Sequence, residues 1–152
     1  MCNTNYPSVT EQIKVFNLVC AIINDFATLP NITLVNPLCC NESTVPNGFP
    51  NSINSVDYKL TRPNGEYAVI NLKIASRTSG VSFDSIEIVA IDSYPSKHGM
   101  GTELFYHTVG LAQKLGIKLM WGYTLDSDSV DFYMKMGCQI RNNIFRYDVA
   151  IP

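Results

Sequence analysis

The stretch SYPSKHGMGTELF, 93–105, gathers the groups in this chain best suited to chemistry. An apolar run, Ile86 to Ile91, leads into it, and a helical pattern leads out. A strand that ends in a glycine-rich turn and opens a helix presents backbone N–H groups with no intrahelical partner, and the helix dipole adds partial positive charge. Gly99 and Gly101 omit the side chains that would hold a bulky anion away, and Lys97 and His98 stand beside the same amides. Such a turn suits a phosphate or a pyrophosphate. A plain strand-to-helix turn that binds nothing has the same local pattern. No Gly-Lys-Ser/Thr follows, which excludes a Walker loop, and the third glycine of a dinucleotide fingerprint is missing.

The elements that position this turn read as follows. Ser8 and Glu11 form a capping box, and Val15, Leu18, Val19, Ile22, Ile23 and Phe26 make one face of a helix over 9–28. Residues 30–55, rich in Pro, Asn and Ser, read as an irregular connection with a short strand at 32–35. Val56 to Thr61 alternates with strand period, Pro63-Asn64-Gly65 turns, and 66–76 completes a hairpin. Thr78-Ser79-Gly80 is a further turn. Ser85 to Asp92 is apolar on both faces except at Glu87, as a mid-sheet strand would be. A helix over 101–115 has Leu104, Thr108, Leu111, Ala112 and Leu115 inward, with Gly116 as its stop. A strand at 118–125, a short helix at 127–136 stopped by Gly137, and a hairpin around Asn142-Asn143 follow. The strand–helix–strand unit at 85–125 requires a right-handed crossover. The predicted class is α/β in the sense of an α+β mixed sheet, with helices on both faces.

IEIVAIDSYPSKHGMGTELFYHTVGLAQKLGIK resembles the acetyl-coenzyme A motif of the GNAT superfamily of N-acetyltransferases, in which a strand is followed by Gln/Arg-x-x-Gly-x-Gly/Ala and a helix. Here that pattern falls on 96–101. LDSDSVDFYMKMGC is similar to the family's second motif, with Asp126, Ser129, Phe132, Tyr133, Lys135, Gly137 and Cys138 in its places. The resemblance is good over 85–140 and weak before 55. It departs at Ser96, where the family has Gln or Arg, at Asp126 for Asn, at Ser129 for Ala and at Cys138 for an aromatic residue.

The resemblance implies a GNAT-like domain over 1–152, acetyl-coenzyme A as cosubstrate, and an amine acceptor, either a small molecule or a protein. It implies that pyrophosphate rests at Ser96, Lys97, His98, Gly99, Met100, Gly101 and Thr102. It implies that the backbone of Val89, Ala90 and Ile91 pairs with the pantetheine arm and that Asp126 and Ser129 lie near that arm. Tyr133 is nominated as the acid that protonates the leaving thiolate, since an ordinary phenol stays protonated at neutral pH. Plain packing of Phe132-Tyr133 is the competing account. Glu87 is the leading general base: an isolated buried carboxylate is held toward neutrality by desolvation. A solvent-facing position or a lysine partner would remove that reason. Asp92 reads as a cap of the turn. A non-catalytic module with the same fold, binding coenzyme A or a protein, remains the alternative.

The remaining groups narrow the function further. His98 and His107 have no Cys or carboxylate at ligand spacing, so no metal site is expected, and His107 reads as solvated on the outer half of its helix. Cys39 and Cys40 are adjacent and read as ordinary apolar residues, and Trp121 and Tyr123 as core or cleft lining. The five cysteines show no CxxC spacing, which fits reduced thiols and a cytoplasmic protein. No leader is visible and no apolar run is long enough to span a membrane. Net charge of −2 without a Lys/Arg run gives no expectation of a nucleic-acid partner. The sequence leaves the oligomeric state open, a homodimer included.

Overall fold

A computed structural model describes residues 9–26, 30–38, 52–75 and 83–151. In chain order the elements are α1 (Val9–Asp25), β1 (Ile32–Leu34), β2 (Ser52–Thr61), β3 (Tyr67–Ala75), β4 (Ser85–Tyr94), α2 (Met100–Leu115), β5 (Leu119–Tyr123), α3 (Ser127–Lys135), β6 (Gln139–Arg141) and β7 (Ile144–Asp148). The strands form one seven-stranded mixed sheet in the order β1-β2-β3-β4-β5-β7-β6. Among the described strands only β4 and β5 run parallel, joined through α2; the other neighbours are antiparallel. The expected mixed α+β sheet is therefore the one observed. Ser8, the turn at 78–80, Cys2, Cys39 and Cys40 lie outside the described residues.

Local chemistry accounts for the joints. Gly65 takes φ 89° in the β2–β3 turn and its N–H donates to the Arg62 carbonyl at 3.0 Å. Asn142 and Asn143, at φ 53° and 61°, make the two-residue β6–β7 turn, and two successive left-handed residues match the twist of the flanking strands. Gly116 ends α2 at φ 72°, as the sequence suggests.

The helices pack as follows. Ile70, Leu72 and Ile74 of β3, Ile86 and Ile88 of β4, Met120 of β5 and Phe145 of β7 are buried on one face of the sheet. Against that face lie Leu104, Phe105, Leu111 and Ala112 of α2. On α1, Cys20 and Ile23 are buried, and the Ile23 carbonyl accepts from the Tyr58 hydroxyl at 2.8 Å. Tyr133 of α3 stacks on Phe145 with ring centroids 3.6 Å apart, and Phe105 meets both Phe132 and Tyr133. The three helices thus share one face instead of dividing between two. Among the described residues no helix covers the other face, which carries Lys73, Glu87, Trp121 and Arg146.

The α1 face also differs from the one expected. Leu18 is 61% exposed, whereas Phe16, Val19, Ile22 and Phe26 pack against the core around Cys20 and Ile23. Leu18 stands about 200° round the helix from Cys20, so one of the two must face water. No helix in the described residues is long and apolar enough to cross a membrane.

Candidate functional site

Strands β4 and β5 pair over three rungs only, Ser85 with Leu119, Ile86 with Met120 and Glu87 with Trp121. Beyond them β4 continues to Tyr94 and β5 to Tyr123, with no further pairing between the two among the described residues. On its other side β4 follows β3 throughout, with one irregularity: Asn71 faces Ala90 and Leu72 faces Ile88, so Val89 is an extra, bulged residue. Parallel neighbours that part leave a wedge whose β4 wall is the backbone of 88–91. Bulges re-aim backbone and side chains next to functional sites. Val89 is 49% exposed, and Ala90 and Ile91 are half-buried.

Gly122 sits near the point of the wedge. A Cβ there would stand 2.5 Å from the Phe145 ring and 2.6 Å from the Ile88 carbonyl oxygen, so only glycine lets β5 approach β4 this closely. Tyr133 lies over Phe145 on the helix side. Burial, and to a lesser degree the neighbouring Cys138, pushes its phenol well above the ordinary tyrosine range, so it is protonated at neutral pH. Burial likewise pushes the Cys138 thiol up to about 12, which leaves it unreactive.

Past the wedge, β4 turns into α2. Ser96, Lys97, His98 and Gly99 are exposed, with Lys97 at φ 66° and Gly99 at φ 82°. Gly99 is the N-cap of α2, and no side chain caps the helix there. A Cβ on Gly99 would meet nothing nearer than Arg62 Nη2 at 3.9 Å, so the turn is open on that side. A Cβ on Gly101 would make ordinary contact with Phe132 and Ile91 at 3.4–3.6 Å, so α2 lies close to α3 and β4 at this position. Met100 is fully buried and Thr102 half-buried; only their backbone faces the turn's chemistry as amides of the first helical turn.

The fold brings Arg62 to the turn from the β2–β3 hairpin, which sequence spacing did not reveal. Its Nη1 donates to the His98 carbonyl at 2.9 Å, and the guanidinium lies 3.5 Å from Glu66 and 3.4 Å from Glu103. His98 Nδ1 meets Glu66 at 3.1 Å, and that hydrogen bond, ahead of smaller influences, holds the Glu66 carboxyl below its ordinary range. Arg62 therefore stands as a long cationic side chain beside the turn, and two glutamates partly offset it.

The other sequence candidates fall as follows. Asp126 caps α3: its carboxylate accepts from the Ser129 N–H at 2.8 Å, while Ser129 Oγ accepts from the Asp126 and Leu125 amides. Both side chains are committed to a capping box. Glu87 is half-buried on the uncovered face of the sheet, beside Lys73 and Trp121. It is not the isolated carboxylate in an apolar interior that the sequence implied, because its strand has no helix over that face. His107 is not solvated. It is 1% exposed, packs edge-on to Tyr58 at 4.4 Å and near Phe26 at 4.9 Å, and burial lowers its pKa to about 4. Thr124, overlooked in the sequence, follows β5 with its Oγ1 buried and without a hydrogen-bond partner among the described residues. Strand alternation places it on the Gly122 side of β5. An unpaired buried hydroxyl beside a wedge is suited to a ligand amide or carbonyl.

No protein-family model matches the chain, and no curated protein matches it. Solved structures do. A GNAT-family protein from Desulfovibrio desulfuricans is 17% identical with a TM-score of 0.51, over 64% of this chain and 70% of that one. The AtaTR complex bound with acetyl-coenzyme A gives 15% and 0.45, over 62% and 68%. The KacTA–DNA complex gives 16% and 0.47, over 63% and 69%. The chain has a GNAT-like fold. One expectation is corrected by these comparisons. Net charge and the lack of a Lys/Arg run gave no expectation of a nucleic-acid partner; against that stands a similar structure that is a complex with DNA.

Proposed function

We propose that the chain, taken over 1–152 as one GNAT-like domain, transfers an acetyl group from acetyl-coenzyme A to an amine. The observation that carries this reading is the wedge: β4 and β5 part after Glu87 and Trp121, Val89 bulges at the parting, and the opening leads to the uncapped start of α2. A pantetheine arm pairs with an exposed strand edge as an added strand does. In this reading it lies along Val89, Ala90 and Ile91, with Thr124 as a side-chain partner. The pyrophosphate rests on the amides of 97–102, with Arg62 and Lys97 as nearby cations.

The amine nitrogen attacks the thioester carbonyl carbon, a C–N bond forms and the C–S bond breaks. A backbone amide of the bulged strand holds the developing oxyanion. Glu87, or a water beside it, removes the ammonium proton, and Tyr133 protonates the departing thiolate. Glu87 lines the uncovered face of the sheet and Tyr133 stacks on Phe145 on the helix face, so in this reading base and acid approach the thioester from opposite faces.

Calorimetry with acetyl-coenzyme A tests the first claim, with binding expected at tens of micromolar or tighter and loss of binding in Gly99→Glu. Absence of binding by the parent chain defeats the proposal. Tyr133→Phe tests the second: turnover falls by about tenfold or more while cofactor affinity is kept, the signature of an interaction made only in the transition state. A non-catalytic module predicts binding without thiol release from any amine. The commitment of Asp126 and Ser129 to the α3 cap favours neither reading, since the cap needs no ligand.

A further inference from the structure

The uncovered face of the sheet carries a pocket of about 380 Å³, lined by Lys73, Ala75, Ser85, Glu87, Leu119, Trp121, Ile144 and Arg146. Its charged and aromatic members form one row across four strands. In register, Lys73 of β3 faces Glu87 of β4, Glu87 faces Trp121 of β5, and Trp121 faces Arg146 of β7. The row is thus cation, carboxylate, indole, cation. Ala75, Leu119 and Ile144 supply an apolar floor around it. The Glu87–Trp121 rung is also the last one before β4 and β5 part, so the pocket abuts the point of the wedge.

We propose that this pocket is the acceptor subsite and that the acceptor is a primary amine carrying a carboxylate at the far end of a flat apolar body. The inference rests on the acetyl-transfer reading for its chemistry and on the pocket alone for its specificity. An ammonium group is drawn to Glu87, the one carboxylate that lines the pocket among the described residues. Neither Lys73 nor Glu87 takes part in an ion pair among the described residues, so that carboxylate is not already neutralised by its cross-strand neighbour. Arg146 meets Asp148 through Nε at 3.0 Å, and its two terminal amino groups take no part in that pair. They form the end of a fork that binds carboxylates two-pronged. Arg146 lies two strands from Glu87, about 10 Å between backbones. A flat body over Trp121 spans that interval, and stacking on the indole adds to it. A simple alkylamine fills the Glu87 end and leaves Arg146 unused. A polyamine fits worse, because its second ammonium meets a cation at either end of the row. The geometry therefore selects against both.

The probes are 4-(aminomethyl)benzoate, benzylamine, which lacks only the carboxylate, and 4-methylbenzoate, which lacks only the amine. Each is titrated into the full chain by calorimetry without cofactor, and then offered with acetyl-coenzyme A while thiol release is followed. The first compound is expected to bind about tenfold or more tightly than either of the others, as charge-assisted hydrogen bonds at both ends require. Arg146→Ala is expected to abolish its advantage over benzylamine, and Arg146→Lys to restore part of it. Affinity for acetyl-coenzyme A, measured separately, shows whether each variant is folded. Equal binding of 4-(aminomethyl)benzoate and benzylamine, or an advantage untouched in a folded Arg146→Ala, overturns the assignment. Should the carboxylated amine bind with the expected preference but release no thiol, the acetyl-transfer reading fails and the specificity of the pocket stands.

Discussion

Replacing Gly122 by alanine tests the geometry of the wedge directly. The added carbon would stand 2.5 Å from Cε1 and Cζ of Phe145 and 2.6 Å from the Ile88 carbonyl oxygen. Carbon atoms pack at roughly 3.5–4.0 Å, so the ring must retreat by about 1 Å or more. It has little room to move: Phe145 is fully buried, and Tyr133 stacks on its ring at 3.6 Å. The Ile88 oxygen belongs to the central strand and is fixed by the ladder to β3. Overpacking in a filled core costs about 1–3 kcal/mol and occasionally more. A clash with a buried ring on one side and backbone on the other belongs at the upper end, about 3 kcal/mol. For a domain of this size each kcal/mol lowers the melting temperature by about 2–4 °C, so the variant should melt about 6–12 °C below the parent. Gly116→Ala is the control. Its Cβ would meet nothing within 4 Å, and only φ 72° opposes it, a cost of about 1 kcal/mol and therefore about 2–4 °C. Both are measured by differential scanning calorimetry. A Gly122→Ala variant that melts no lower than Gly116→Ala would refute the packing described for β4, β5 and the Tyr133–Phe145 stack.

Three further outcomes follow from the same structure. Asp126→Ala removes the α3 cap and should cost about 1 kcal/mol, seen as a fall of about 2–4 °C in melting temperature; an unchanged melt would contradict the capping box. Burial lowers the His107 pKa to about 4, below its ordinary 6.5, so the unfolded chain takes up the proton first as pH falls. The contribution is therefore complete above the ordinary value and is lost between there and about 4. His107→Phe should flatten the pH dependence of the urea midpoint in that window, and an equal slope in the variant would count against burial of the ring. The Glu66 carboxyl, held low chiefly by its hydrogen bond to His98, contributes above the ordinary carboxylate range, and that contribution is lost as pH falls through its lowered value. In His98→Ala its titration, followed by carbonyl NMR, should move up toward the ordinary range; no movement would mean that the pair does not form in solution.

The elements nearest the candidate site were the most legible in the sequence, because their signals are local. Asn142-Asn143, Gly65 and Gly116 mark turns through φ preferences that belong to the residues themselves. The boundaries of α2 and α3 came out within a residue for the same reason, as Gly116 and Gly137 end them. His107 was misplaced because helix periodicity gives an angle about the axis and not what lies opposite. Here α1 closes over α2, and the strip that would face water faces Tyr58 and Phe26. Leu18 and Cys20 exchanged places on α1 by the same ambiguity.

By itself the sequence determined the order of the elements, the glycine turn that opens α2, and the aromatic helix that follows β5, since each depends on residues close together in the chain. Tertiary structure alone decided the rest. The wedge exists because β4 and β5 share three rungs and then part. The Arg62 cation reaches the turn from a residue 36 positions earlier than His98, across the β2–β3 hairpin. The row from Lys73 to Arg146 is assembled from four strands by register. Register and strand separation are set by packing across the whole sheet, and no stretch of neighbouring residues contains that information.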